Sequence, residues 1–417
     1  MEPSRLQSVQ GDGRRRALLA VAALVAIGAA AALYYRATYG SIPALVAALD
    51  HCKELYCDFT RQYYPTGRDV LATGQPSKGY FYSSFFALFL APVGRLNLDA
   101  ALVLWSVVQL AGILLLLLPA IDFYHESPAA FVLYAVLLAF SMPLLHNLKW
   151  GQVSALVTGC AFAALFLQRR GRRLAAGVVL GFAAAIKYYV AVVAIAHLLR
   201  RHWRMVAAFL VAAGVFWLVI PTLILGPDGN WAFYQTVRER VAHALTTWMP
   251  EDINAQYLPS VAGRWLGTGA GRGLWRWFGY GLFAVSLLAV ARLLRRGRFR
   301  DMEWAYALLF LSLPLAVETS WPHYFVYLPF AQTLAWLELR RARPRDRLWQ
   351  GALLLISVVL ASMPFFQFVG RWQDYSQYGF LFVANLCLLV LGHALTLRQA
   401  AQSGRPASPA PPASAAP

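Results

Sequence analysis

Hydrophobicity in this chain runs in long unbroken stretches rather than in alternation. Apolar runs cover residues 17–35, 100–118, 129–144, 153–167, 205–225, 278–290, 304–317, 324–339, 351–366 and 380–397. Such runs predict membrane-crossing helices, because lipid offers a backbone N–H no partner and a helix satisfies its own. A barrel would show a period of two instead. The aromatic segment 80–92, YFYSSFFALFLAP, is too short to cross and reads as interfacial or re-entrant. Residues 174–199 lie between two arginine clusters, 169–173 and 200–204. At about 1.5 Å per residue this stretch would be about 40 Å long. It reads as a hairpin of two short helices with Lys187 near the outer tip, because a single crossing would put the two clusters on opposite sides.

Composition agrees. The 417 residues are 59% hydrophobic and 13% charged, with mean hydropathy +0.52, whereas a soluble domain is about 25% charged. The net charge of +18 sits in short arginine-rich segments at 14–16, 169–173, 200–204, 292–300 and 340–347. That is the positive-inside pattern, and no basic face with interleaved aromatics is left for nucleic acid. The expectation is an all-α polytopic protein of the cell (inner) membrane, with about twelve crossings and both termini cytoplasmic. Its parts are a cytoplasmic segment 1–16, a membrane domain 17–398 and a disordered tail 399–417. Outer loops are expected at 36–92 and 226–276. The run at 17–35 reads as a retained anchor, not a cleaved signal.

Against that frame, polar residues near membrane depth or at outer helix ends stand out, and the ionisable ones among them are costly near lipid. These polar residues are Asp58, Lys149, Gln152, Lys187, Asn254, Gln256, Glu318 and His323. Asp58 lies in the stretch 51–64 of the first outer loop. A carboxylate there can take the proton of an attacking sugar hydroxyl, or simply be solvated; Asp69 is a nearby competitor. Lys187 either meets a lipid-linked phosphate or snorkels to headgroups, and Lys149 has the same two readings. His323 can donate to a departing phosphate or pack, with Glu318 its partner or only a helix-end charge. Cys52 and Cys57 share the outer loop, where a disulfide requires a bend. No His/Cys/Asp cluster has metal-ligand spacing, no Asp-x-Asp occurs, and no Gly-rich nucleotide loop is present. No metal or cofactor is therefore expected, and a lipid-carried donor is favoured over a nucleotide sugar. A transporter or flippase of a lipid-linked or anionic solute is the alternative; it should carry polar residues at the midplane.

Several motifs occur in a telling order. They are Asp58-Phe59-x-x-x-Tyr63, Tyr80-Phe81-Tyr82 leading to Ala91-Pro92, Trp105, Trp150-Gly151-Gln152, Gly177 to Gly181, Ala184-Ala185-Ile186-Lys187, and Ser320-Trp321-Pro322-His323-Tyr324. The chain thereby resembles glycosyltransferase family 87, polyprenyl-phosphate-mannose-dependent mannosyltransferases of GT-C fold. It departs at Ser83-Ser84, where the family often has prolines. The resemblance implies inverting transfer from a polyprenyl-phosphate-linked sugar to a lipid or glycan acceptor on the extracytoplasmic side. It implies Asp58 as base, with Lys187 and His323 serving the donor phosphate. Tyr63, Tyr82, Lys149, Gln152 and Gln256 are the further substrate-binding candidates.

Overall fold

The computed structural model describes residues 3–50, 52–267, 271–295 and 300–403. The expected tail beyond Ser403 and part of the 292–300 basic cluster lie outside the described residues, as do the side chains of the 14–16 run. The described secondary structure is helical: α1 (Pro3–Tyr39), α2 (Ile42–Ala48), α3 (Tyr64–Thr73), α4 (Ser84–Gly94), α5 (Leu98–Phe123), α6 (Pro128–Ala139), α7 (Met142–Trp150), α8 (Ser154–Arg169), α9 (Arg173–Ile186) and α10 (Ala194–Leu199). There follow α11 (Trp203–Gly214), α12 (Ile220–Thr246), α13 (Leu258–Leu266), α14 (Arg272–Leu294), α15 (Asp301–Ala316), α16 (Leu328–Leu339), α17 (Pro344–Leu360), α18 (Met363–Val369), α19 (Trp372–Gln377) and α20 (Phe380–Ser403). Among the described residues, five helical stretches are long and apolar enough to cross a membrane: Ala20–Tyr39, Leu98–Phe123, Trp203–Thr246, Arg272–Leu294 and Trp372–Leu397. Their apolar side chains face outward, as at Val103, Leu110, Leu114 and Leu118 of α5. Helices that are apolar on their outer faces belong in lipid, so the protein is a polytopic membrane protein.

Two of the sequence's long runs are broken by the same device. Ser141-Met142-Pro143 and Ser362-Met363-Pro364 each end one helix and begin the next. Each serine caps the new helix with its hydroxyl, and each proline occupies a first-turn position that needs no N–H. The two breaks lie against one another: Met142 N–H donates to Ala361 O and Met363 N–H to Phe140 O, both at 2.9 Å. The backbone groups freed by the breaks thus satisfy each other inside the bundle, as burial requires.

The 174–199 stretch forms the expected hairpin. Helix α9 ends at Ile186, Lys187 is extended (φ −134°, ψ 113°), and the turn Tyr188–Val193 leads into α10. Helices α9 and α11 run parallel in close contact. A Cβ on Gly177 would stand 2.4 Å from Met205 O, and one on Gly181 would stand 2.7 Å from Ala212 Cβ. Two parallel neighbours require the intervening chain to return, which α10 does. The basic clusters also gather at one end of the bundle. Arg170 pairs with Asp122 at 2.6 Å, Arg169 with Glu303, and Arg300 with Glu126 at 3.7 Å, while Arg200 donates to Leu294 O.

One segment differs from expectation. The stretch 226–276, expected as an outer loop, is largely helical. The chain breaks at Gly226 (φ 75°, ψ 162°), then continues as helix to Thr246. Three of its polar residues bind the first outer loop. Asn230 accepts from Ser84 Oγ at 2.6 Å, Thr236 donates to Gln75 Oε1 at 2.9 Å, and Arg240 donates to Ser77 O at 2.6 Å.

The hairpin gives a topology test. A cysteine at the exposed position of Tyr188 should react with a membrane-impermeant thiol reagent from outside intact cells, the buried Cys160 and half-buried Cys387 giving the background. Labelling that needs permeabilised cells would put this tip on the other face.

Candidate active site

The end opposite the basic clusters holds the polar residues that the sequence singled out. Asp58 precedes a wide helical turn, Phe59–Tyr63, in the first outer loop. Just before it, Cys52 and Cys57 form a disulfide with Cα atoms 6.7 Å apart. The required bend is supplied at Tyr56, whose φ is +61° and whose N–H donates to Lys149 O at 2.6 Å. The loop is therefore tied to the end of α7. There Gly151 ends the helix with φ +64°, and a Cβ would stand 2.9 Å from Tyr56 Cβ. Only glycine fits both the left-handed backbone and the close approach. Trp105 stacks on Phe59 with centroids 4.6 Å apart and donates its indole N–H to Gly151 O at 2.9 Å.

Gln152 follows, and its amide joins four of the predicted site residues. Its NH₂ donates to Asp58 Oδ2. Its carbonyl accepts from the Lys187 ammonium at 2.7 Å, and the Tyr63 and Tyr82 hydroxyls each lie 3.0 Å from it. The orientation is fixed by chemistry, since a flipped amide would point N–H groups at the ammonium. The backbone of Gln152 is held too: Gln109 Nε2 donates to its carbonyl at 3.0 Å, and its own N–H donates to Asn147 O at 2.9 Å. Lys187 also donates to Ser154 Oγ at 3.1 Å and lies over the Tyr324 and Tyr82 rings, 4.5 and 5.3 Å from their centroids. Gln62 Nε2 donates to the other oxygen of Asp58 at 3.1 Å.

Burial pushes the Asp58 carboxyl up to about 6, against the lowering effects of Gln152, Lys187 and Arg61; Asp50 adds to the rise. A carboxylate of that strength is poised for proton transfer near neutral pH. Asp69, the competitor, is half-exposed and paired with Arg68 at 2.8 Å, which holds it below the usual carboxylate value.

A cavity of about 940 Å³ opens beside this network. Tyr82, Lys187, Tyr324 and Trp321 stand at one part of it, and α12 supplies a wall through Trp231, Phe233, Tyr234, Val237 and Val241. Most of its lining is apolar, with Lys187 and Arg238 its cations. Ser83 and Ser84, at the family's proline positions, build its rim: Ser83 caps α4 and donates to Ala185 O at 2.5 Å, and Ser84 binds Asn230.

The other candidates stand outside the Gln152 hydrogen-bond network. His323 is 3% exposed, and among the described residues its ring nitrogens meet no hydrogen-bond partner. It stacks on His146 at 5.7 Å and lies close enough to Lys187 to feel its charge. Lys149 is 1% exposed and does not line the cavity; its ammonium faces the Trp150 ring at 5.3 Å, and burial pushes it down to about 8 despite Asp50. Gln256 is a strut. Its NH₂ donates to Ile253 O and Ser376 O, its carbonyl accepts from Phe382 N–H, and its N–H donates to Ser320 O at 2.8 Å. Both amide hydrogens are engaged and the carbonyl takes one bond, so the residue fixes the stretch of chain that carries Trp321 and His323. Asn254 accepts from the Trp372 indole, and Glu318 pairs with Arg276 at 2.7 Å rather than with His323. Ser154, Gln62 and His146 escaped the sequence reading as site residues; polar residues inside apolar runs, as Ser154 is, were the available signal. The one group of three metal-capable residues among those described, Cys52, Glu54 and Cys57, has both sulfurs in the disulfide.

The bridge closes a short loop, so Cys52→Ser with Cys57→Ser should destabilise the protein by about 2 kcal/mol and lower turnover by loosening Asp58. Thermal unfolding in detergent, with and without reductant, reads the first effect. An unchanged midpoint would mean that the Tyr56–Lys149 bond alone fixes the loop.

Comparison with curated proteins and with solved structures gives no match. A family model for glycosyltransferase family 87 matches residues 80–317, more than half of the chain, from the aromatic segment before α4 to the end of α15. The match spans Gln152, Lys187 and the α12 wall of the cavity, so the chain belongs to glycosyltransferase family 87 and is a membrane glycosyltransferase.

Proposed function

We propose that this enzyme transfers a sugar, mannose, from a polyprenyl-phosphate donor to a lipid or glycan acceptor on the extracytoplasmic face of the inner membrane. In this reading it is a GT-C protein of about twelve crossings with both termini cytoplasmic. The observation that carries the proposal is the apolar cavity whose buried cation, Lys187, is one amide away from Asp58. A prenyl chain suits walls of tryptophan, phenylalanine, valine and leucine, and its phosphate suits a buried ammonium.

Asp58 then accepts the proton of the acceptor hydroxyl as that oxygen bonds to the anomeric carbon. The bond from the anomeric carbon to the phosphate oxygen breaks, and the phosphate leaves with the electron pair. Lys187 meets the charge that grows on it, and His323 stands beside Lys187 to serve the same group. One displacement, with base and leaving group on opposite faces of the sugar, inverts the anomeric centre. A site at one end of the bundle suits such an enzyme better than a transporter, which needs access from both sides.

Asp58→Asn keeps the size of the side chain but cannot accept a proton. Turnover should fall by about 10²–10⁴ while donor affinity is kept, and Asp69→Asn should change little. The measurement is transfer from a polyprenyl-phosphate sugar, with donor binding followed in parallel; near-normal turnover in Asp58→Asn removes the base assignment. The base acts only when ionised, so kcat/KM for the donor should drop as pH falls through about 6.

Lys187→Ala should weaken donor binding most. His323→Ala should lower kcat more than it weakens binding, because it acts on charge that develops as phosphate leaves. Small and equal effects on both constants would make the two residues packing elements.

A further inference from the structure

Gln152 is placed as a link between two groups rather than as a ligand. Its carbonyl carries the Lys187 ammonium and its NH₂ carries the Asp58 carboxylate. Lys187, Gln152 and Asp58 therefore form one donor-to-acceptor chain from the cavity to the outer loop. Hydrogen bonds in such a chain polarise one another: an ammonium on the amide oxygen makes the amide N–H a stronger donor. As long as Lys187 rests on Gln152, Asp58 is held in a tight bond that stabilises its ionised form.

Resting on the reading that Lys187 meets the donor phosphate and Asp58 is the base, we propose that Gln152 is a positioning residue that couples donor binding to base strength. An arriving phosphate draws the Lys187 ammonium off the Gln152 carbonyl and neutralises it. The Tyr63 and Tyr82 hydroxyls, 3.0 Å from the same oxygen, keep the amide in place. Its N–H bond to Asp58 weakens, and the positive field on the carboxylate is cancelled. Asp58 becomes the stronger base only when there is a sugar to transfer. Before that it is a weaker one, less able to activate water against an empty site.

The other groups acting on Asp58 do not change with the donor. Arg61 is on its own helical turn and pairs with Glu54 at 3.2 Å. Asp50 lies behind the loop near His146, at 3.9 Å from its Nε2, and Lys149 is coupled to Asp50. Tyr63 and Tyr82 are neutral hydroxyls at working pH. Lys187 is the charge that donor phosphate would engage.

The test compares two pH profiles of the wild-type enzyme with a short-chain polyprenyl-phosphate mannose. The donor is a phosphodiester and does not titrate in this range. The profile of kcat/KM for the donor reports Asp58 in the free enzyme, and that of kcat reports it in the complex. The acid limb should lie at higher pH in kcat than in kcat/KM, by roughly one unit, the size of effect a nearby cation has on a carboxylate. In Gln152→Leu the two limbs should merge, kcat should fall by roughly 10²-fold as the base loses its register, and donor Kd should hold or tighten. Gln152→Glu keeps an acceptor for Lys187 as a permanent anion, so it should weaken donor binding instead. Coincident limbs in the wild type, or a Gln152→Leu defect confined to donor Kd, overturns the coupling. Those outcomes with an inactive Asp58→Asn leave the base assignment standing; a fully active Asp58→Asn removes both.

Discussion

Lys187 is 3% exposed, and taking such a charge out of water costs several kcal/mol unless partners replace the lost hydration. Two oxygens and two aromatic faces do so, from Gln152, Ser154, Tyr82 and Tyr324. Each of those partners is itself held. Gln152 is braced by Gln109 and Asn147, and Tyr82 by Tyr63. The left-handed Gly151 lets the whole turn approach the outer loop. The demand of one buried cation thus organises side chains from the first outer loop, the α7–α8 turn, the α9–α10 tip and the turn before α16.

Helix packing brings that cation to its place. The small residues of α9 let α11 run alongside it at backbone distance, so that α10 returns and Lys187 sits at the tip of the hairpin. The break at Lys187 leaves it extended, outside regular helix, where its side chain reaches sideways to Gln152 and Ser154. The cavity is then walled on one side by this hairpin and on another by α12. The side that bears Asp58 is braced: the disulfide, the Tyr56–Lys149 backbone bond and the Phe59–Trp105 stack all fix its loop. An aromatic pair such as Phe59–Trp105 contributes about 0.5–1.5 kcal/mol beyond its burial, enough to bias the loop but not to hold it alone.

Much of this was legible in the chain. Charge parity required a hairpin at 174–199, because two arginine clusters cannot lie on opposite faces; the parallel α9 and α11 agree. Asp58, Gln152 and Lys187 were singled out from position and residue type, Tyr63 and Tyr82 through the family motifs, and they meet. Lys149 and Gln256 were singled out on the same grounds, yet one faces Trp150 and Asp50 and the other is consumed by backbone bonds. The helical character of 227–246 was hidden because its polar residues suit a loop as well as a helix docked on one.

By itself, the sequence determined the character of each segment: which stretches are apolar helix, which ends carry the arginines, and which family the chain belongs to. Those properties are sums over many residues, and a linear pattern carries them. Tertiary structure alone decided which polar groups face one another. A hydrogen bond forms or fails within a few tenths of an ångström, and the distance from Asp58 to Gln152 to Lys187 is set by how four separate pieces of chain pack.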